Sequence, residues 1–262
     1  MSERSIELDI RNGVGHVTLS QPERGNPFDD RFCAELCEIS IECDENPAVR
    51  AVLIRAKGRF FSVGADLKWL GASRERLPYL LKGATSDLHM AVSRFARADA
   101  PVVVAVHALA TGGSVALTAM ADFALAARSA KFYAAFNAIG FVSDSSGTYF
   151  LPRRVGSRKA AEFIMLNQTW SAEEAERNGL VNRVVEDDAL DDEAVKLAEH
   201  LAAGPTLTFG EMKRLFLSST DQPLETQIEL EARAIARCSR TQDSWDAIQA
   251  IMEKRPLTYQ GR

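Results

Sequence analysis

Apolar residues take every second place at the start of the chain, at Ile6, Leu8 and Ile10, and Val14, Val17 and Leu19 follow Asn12-Gly13. A period of two marks a strand with one buried face, and Asn-Gly makes a two-residue turn, so the pattern predicts a hairpin. Between 29 and 45 the period lengthens. Phe32, Leu36 and Ile39 share one side of a predicted helix, which Asn46-Pro47 ends. Residues 49–56 are apolar enough to form a strand covered on both faces. A helical pattern begins near Leu67, and residues 83–98 form a second amphipathic helix. Pro101 opens the strand 102–106, and Thr111-Gly112-Gly113-Ser114 separates it from a helical run over 114–121. Short strands are predicted at 122–127 and 131–133. Residues 70–83 and 134–156 look loop-like, the first as a mobile loop. Helices then dominate. Ser171 with Glu174 predicts a capping box, and 180–185 predicts a last short strand.

Beyond Gly204-Pro205 the pattern is all helical. Pro223 stands at a helix start, and Leu224, Ile228, Ile235, Ile248 and Ile251 supply apolar stripes. Alternation of strands and helices with short connections predicts an α/β core over 1–203 and a helical region over 204–262. The chain has no internal repeat and no low-complexity tract.

Composition narrows the function. With 262 residues, 46% hydrophobic and 26% charged, the chain can bury a full core and falls outside the disordered classes. A net charge of −5 with no basic run excludes nucleic acid as its main partner. No run approaches the roughly 20 apolar residues that span a bilayer. The first ten residues lack an apolar signal core, so a cytoplasmic location is expected. Cys33, Cys37, Cys43 and Cys238 have neither CxxC spacing nor nearby histidines, since His16, His89, His107 and His200 are scattered. They read as reduced, buried structural thiols, and no metal site is expected.

Three loops follow strand-like sequence and precede helical sequence, where open sheets place ligands. In Val63-Gly64-Ala65-Asp66, a glycine before a helix start frees backbone N–H groups, while Asp66 also suits a simple helix cap. In Thr111-Gly112-Gly113-Ser114, paired glycines allow close approach to the backbone, or close helix–strand packing; the motif lacks the lysine of a phosphate loop. In Ser143-Asp144-Ser145-Ser146-Gly147, Asp144 has Phe141, Val142, Tyr149 and Phe150 around it. It can serve as a general base there, or cap the next helix. His89 and His107 read as packing residues. Ser114 and Ser145 have no local His–Asp context, so a hydrolase triad lacks support.

Taken together, the segments PERGNPFD (22–29), GRFFSVGADL (58–67), PVVVAVHALATGGSVAL (101–117), IGFVSDSSGTYFLPRRVG (139–156), SAEEAERNGLVNRVV (171–185) and AIMEKR (250–255) resemble the enoyl-CoA hydratase/isomerase, or crotonase, superfamily. The resemblance covers almost the whole chain in order. It implies repeated ββα units in two sheets, C-terminal helices that build trimers or hexamers, and an acyl-CoA thioester as substrate. Coenzyme A is then part of the substrate, and no separate cofactor is implied. It also implies an oxyanion hole from the backbone N–H groups of Ala65 and Gly113, an adenine pocket at Asp66 and Leu67, and CoA contacts from Arg24 and Lys254. Trp69, Leu70, Tyr79, Phe136 and Phe141 would wall the acyl pocket.

Two departures bear on the reaction. Hydratases of this family carry two glutamates; here Ala116 and Phe136 stand at those places. The aspartate loop resembles that of the isomerases of phenylacetate degradation, in which one carboxylate shifts a double bond. It also matches the nucleophilic aspartate of aryl-CoA dehalogenases, with Phe136 and His89 at their aromatic and histidine places. A hydratase of atypical mechanism and a non-catalytic acyl-CoA-binding protein are the further alternatives.

Overall fold

The computed structural model describes residues 4–261. The opening hairpin consists of β1 (Ile6–Arg11) and β2 (Val14–Leu19), paired antiparallel with Ile6 opposite Leu19. Asn12 and Gly13 both have positive φ, 52° and 77°, as the tightest hairpin turns require. Next to β2 lie β3 (Ala51–Ala56), β4 (Val102–Val106), β6 (Phe123–Ala127) and β9 (Arg183–Val185), all parallel, in the order β1-β2-β3-β4-β6-β9. Every residue of β2 and β4 is buried, which is why these strands carry almost no charge.

A second, smaller sheet has the order β5-β7-β8, from β5 (Leu109–Thr111), β7 (Lys131–Tyr133) and β8 (Thr169–Ser171). Helix α1 (Asp30–Glu45) starts where the Asp29 carboxylate accepts the Phe32 N–H at 2.9 Å. It packs on a long helix farther along the chain, Leu77–Arg97, and turns Phe32, Cys33, Leu36, Ile39 and Cys43 inward. Between them comes the single turn α2 (Leu67–Leu70), so the long helix is α3. Helices α4 (Gly113–Met120), α5 (Gly147–Val155), α6 (Ser157–Met165), α7 (Ala172–Asn178) and α8 (Leu190–Ala202) complete the layers, with α8 lying on β3 and β4. The C-terminal region is α9 (Thr206–Ser218), α10 (Leu224–Cys238) and α11 (Gln242–Met252). Two sheets followed by helices are the architecture that the resemblance implies.

Three expectations change. Residues 77–83, read as loop, are the first turns of α3, and Pro78 sits at its start, where the missing N–H costs nothing. The stretch 134–156 is half helical: Phe136–Ile139 is a 3-10 turn and α5 follows, with Pro152 inside it. Strands β5 and β8 are too short for any periodicity to show. Of the cysteines, Cys33 and Cys43 are buried, but Cys37 and Cys238 are only half-buried. Burial pushes the Cys43 thiol up to about 12, so it stays protonated and unreactive. Among the described residues, no helix is long and apolar enough to cross a membrane.

Candidate active site

The geometry begins with β5 pulling a distant loop against itself. The N–H groups of Phe61 and Ser62 donate to the Leu109 carbonyl at 3.1 and 3.2 Å, and Thr111 N–H donates to the Ser62 carbonyl at 3.0 Å. The Ser62 hydroxyl donates to the Asn26 carbonyl at 2.7 Å and accepts from Gly64 N–H at 3.0 Å. The chain then turns at Gly64, with φ +78° and the Thr111 carbonyl oxygen 2.8 Å from where a Cβ would sit. Only glycine meets both conditions without strain. Phe28 N–H donates to the Gly64 carbonyl at 2.8 Å, and Asp66 N–H donates to the Phe28 carbonyl at 3.0 Å. This bridge uses the residues on either side of Ala65 and leaves the Ala65 N–H facing away from Phe28.

On the other wall, Gly112 N–H donates to the Tyr133 carbonyl at 2.9 Å, and Gly113 is the first residue of α4. Its N–H therefore precedes any helical acceptor. The Ser114 hydroxyl holds this turn closed, accepting from Thr111 N–H at 2.7 Å and donating to the Thr111 carbonyl at 2.9 Å. Neither the Ala65 nor the Gly113 N–H has a partner among the described residues, and both residues line one cavity of about 590 Å³.

The cavity walls are mostly apolar. Trp69, Leu70, Leu81, Leu88, Phe136 and Phe141 contribute, and Asp144 is the one carboxylate among the described lining residues. Tyr79 does not belong to this wall: it lies 75% exposed, because residue 79 is on the outer side of the first turn of α3. Leu81, Ala84, Thr85 and Leu88 of the same helix line the cavity instead; they follow once α3 is extended back to residue 77.

Asp144 opens a tight turn. Gly147 N–H donates to its carbonyl at 2.8 Å, and Ser145 and Ser146 between them have φ of 53° and 69°. Side chains rarely take this backbone, so the turn stores strain next to the carboxylate. The Ser145 hydroxyl donates to Asp144 Oδ1 at 2.8 Å. Burial, with the Asp144 charge next in size, pushes the Cys33 thiol on the cavity wall well above the usual thiol range. Behind the turn, Ala116 and Phe136 face a small gap of only about 10 Å³, shared with Ser143, Val115, Leu151, Phe163 and Ile164. That is at the lower bound for one water, and no carboxylate stands among its described lining residues.

At the rim, Arg24 pairs with Asp29 at 2.8 Å and with Asp66. Burial opposes charge on Asp66, but the N–H groups of Trp69 and Lys68 and the Arg24 guanidinium outweigh it and hold the carboxyl below the usual range. Asp66 caps α2, and Leu67 beside it is 63% exposed on the cavity wall. Lys254 is exposed just past α11 and does not line the cavity of its own chain. His89 is exposed in a separate groove with Tyr149, Phe150, Leu217 and Asp221.

A family model described as enoyl-CoA hydratase/isomerase matches residues 9–262. The chain belongs to this family. It is therefore an acyl-CoA enzyme by descent. It is 34% identical over 261 residues to the 1,2-epoxyphenylacetyl-CoA isomerase of Escherichia coli (strain K12), covering 97% of each. It is 33% identical to a probable enoyl-CoA hydratase of Rhodobacter capsulatus, covering 100% of both chains. A solved structure from Mycobacterium abscessus, titled as an enoyl-CoA hydratase/isomerase, superposes with TM-score 0.92 at 31% identity, over 98% of this chain and 100% of that one. Isomerase and hydratase names both occur among these family members, so the choice of reaction rests on the side chains at the site.

Proposed function

We propose that the protein is an enoyl-CoA double-bond isomerase in which Asp144 carries the proton. The observation that carries this reading is a carboxylate, the one among the described lining residues of an apolar cavity, beside two backbone N–H groups with no partner among the described residues. The thioester oxygen lies between the Ala65 and Gly113 N–H groups. Asp144 takes a proton from the carbon next to the thioester. The electron pair moves through the thioester and the neighbouring double bond, and the oxygen carries the charge of the dienolate. The same carboxyl then returns the proton two carbons farther along, and the double bond comes to rest in conjugation with the thioester. Preorganised N–H donors of this kind are worth about 3 kcal/mol each, because their dipoles need no reorientation as charge develops. Arg24, Asp66 and Leu67 at the rim contact the CoA moiety, and Trp69, Leu70, Phe136 and Phe141 hold an apolar or aromatic acyl group.

Hydration needs a second group to position and split water. Ala116 and Phe136 offer no carboxylate, and the gap beside them, about 10 Å³, is at the lower bound for one water. A second reading, Asp144 as nucleophile toward an aryl-CoA ring, draws support from Phe136, an aromatic ring on the cavity wall beside Gly112. The placement of His89 outside the cavity weighs against it.

The test is a paired ultraviolet assay of wild type and Asp144→Asn. A 3-enoyl-CoA is expected to gain the conjugated chromophore with wild type and to lose that activity by at least a hundredfold in the variant, in line with the loss of a general base. A 2-enoyl-CoA is expected to keep its chromophore in water. Hydration that survives the substitution overturns the isomerase reading. A covalent aryl ester trapped on Asp144 in a single turnover would move the assignment to the aryl-CoA reading.

A further inference from the structure

The proposed mechanism asks one carboxylate to take a proton at one carbon and return it at another without losing it to water. This requires a fixed carboxylate, and the structure contains a group placed to fix it. Ser145 is 1% exposed, and its hydroxyl donates to Asp144 Oδ1 at 2.8 Å. The Ser145 Oγ also lies 3.2 Å from the point where a Cβ on Gly113 would sit, so Ser145 stands beside both the carboxylate and the first residue of α4. One small side chain thereby adjoins both halves of the candidate machinery.

The backbone shows what this placement costs. Ser145 and Ser146 hold φ of 53° and 69°, in a turn that glycine or asparagine adopts far more readily. Glycine at 145 would relieve the strain, so local backbone preference does not account for serine. The hydroxyl does, since glycine cannot supply it.

We infer that Ser145 is a positioning residue for Asp144. Its hydroxyl occupies Oδ1 and leaves Oδ2 to meet the substrate, so that a single oxygen both takes and returns the proton. Its contact with Gly113 sets the distance between that oxygen and the N–H groups that receive the negative charge. This inference rests on the isomerase reading above.

The experiment compares wild type, Ser145→Gly and Ser145→Ala with a 3-enoyl-CoA in deuterium oxide. Product is analysed by mass spectrometry for deuterium at the carbon that receives the proton. KM, kcat and thermal midpoint are measured alongside. Wild type is expected to return mostly the original proton. Both variants are expected to lose kcat by ten- to a hundredfold, the size of effect that a small misplacement of a reacting group produces. Their KM stays within about threefold, and solvent deuterium in the product rises severalfold. Ser145→Gly is expected to keep the wild-type thermal midpoint to within a few degrees, because the gain in backbone ease offsets the lost contact. A purely structural role would move the midpoint and leave isotope retention unchanged.

Two negative results are distinguishable. If wild type isomerises and both variants keep its kcat and its isotope retention, the positioning role is wrong and the isomerase reading stands. If wild type moves no double bond in any 3-enoyl-CoA tested, the isomerase reading fails and takes the positioning role with it.

Discussion

Gly64 shows how one residue can decide whether the site exists. Its φ is +78°, and a Cβ would come within 2.8 Å of the Thr111 carbonyl oxygen. Gly64→Ala must therefore strain the backbone and also push β5 away from the loop that carries Ala65. A non-glycine residue in this conformation costs about 1–2 kcal/mol before any clash. Stability is expected to fall by about 2 kcal/mol or more in urea titrations. Isomerase activity is expected to fall further, by about a hundredfold in kcat, the typical cost of one misplaced oxyanion donor. An alanine variant with wild-type kcat would remove Ala65 from the catalytic scheme. Local signals mark most residues around this cavity: a glycine before a helix start at 64, paired glycines at 112 and 113, and a carboxylate among aromatics at 144. The positioning group Ser145 carries no such signal. A serine in a run of Ser, Asp and Gly reads as a turn residue whatever its hydroxyl does, and only the fold shows that the hydroxyl meets Asp144.

Whole elements were legible where their stabilising interactions are local. The capping box is the clearest case: Glu174 N–H donates to the Ser171 hydroxyl at 3.2 Å, and Ser171 N–H donates to the Glu174 carboxylate at 2.8 Å. Both partners lie within four residues, so the motif is visible in the sequence. Ser171→Ala is expected to cost about 1 kcal/mol. Because α7 does not line the cavity, kcat and KM are expected to stay at wild-type values, a control that separates stability loss from site damage. A large drop in kcat would instead tie α7 to the site through β7 and β8. Elements held by distant partners were not legible. β5 spans only three residues and owes its form to residues 61–62 and to β7. α5 is hidden by Gly147, Pro152 and Gly156, which read as breakers. It forms because it packs against α4, where a side chain at Gly147 would crowd Ser143 and Ala116, and because Leu151 is buried. The core strands β2 to β4 and helix α1 were recoverable because their apolar periodicity reports burial directly.

At the scale of the molecule, the C-terminal helices leave an imbalance that one chain does not resolve. Leu224, Ile228 and Ile235 on α10 and Trp245, Ile248 and Ile251 on α11 are all exposed, each more than half of its area. Scattered apolar residues need no explanation, but stripes on two successive helices do. Burying such faces is worth about 25 cal/mol per Å², enough to favour association once several large side chains contribute. We propose, from the family resemblance, a trimer or two trimers paired. Sedimentation equilibrium is therefore expected to give three or six times the chain mass of 28.7 kDa. A double substitution, Ile235→Asp with Ile251→Asp, is expected to yield smaller species. Assembly also bears on the site. Lys254 lies two residues past the end of α11 and stands outside the cavity of its own chain. If it reaches CoA, it does so in a neighbouring copy, where its ammonium would meet the CoA phosphates from the side opposite the proposed Arg24 contact. Lys254→Ala is then expected to raise KM for acyl-CoA severalfold in the assembled enzyme, with kcat little changed. The dissociated double variant is expected to show the raised KM already and to gain nothing further from Lys254→Ala. Equal effects of Lys254→Ala in both backgrounds would place the lysine's contact within its own chain. A wild-type protein that sediments as a monomer with full activity would show that the apolar stripes serve something other than self-association.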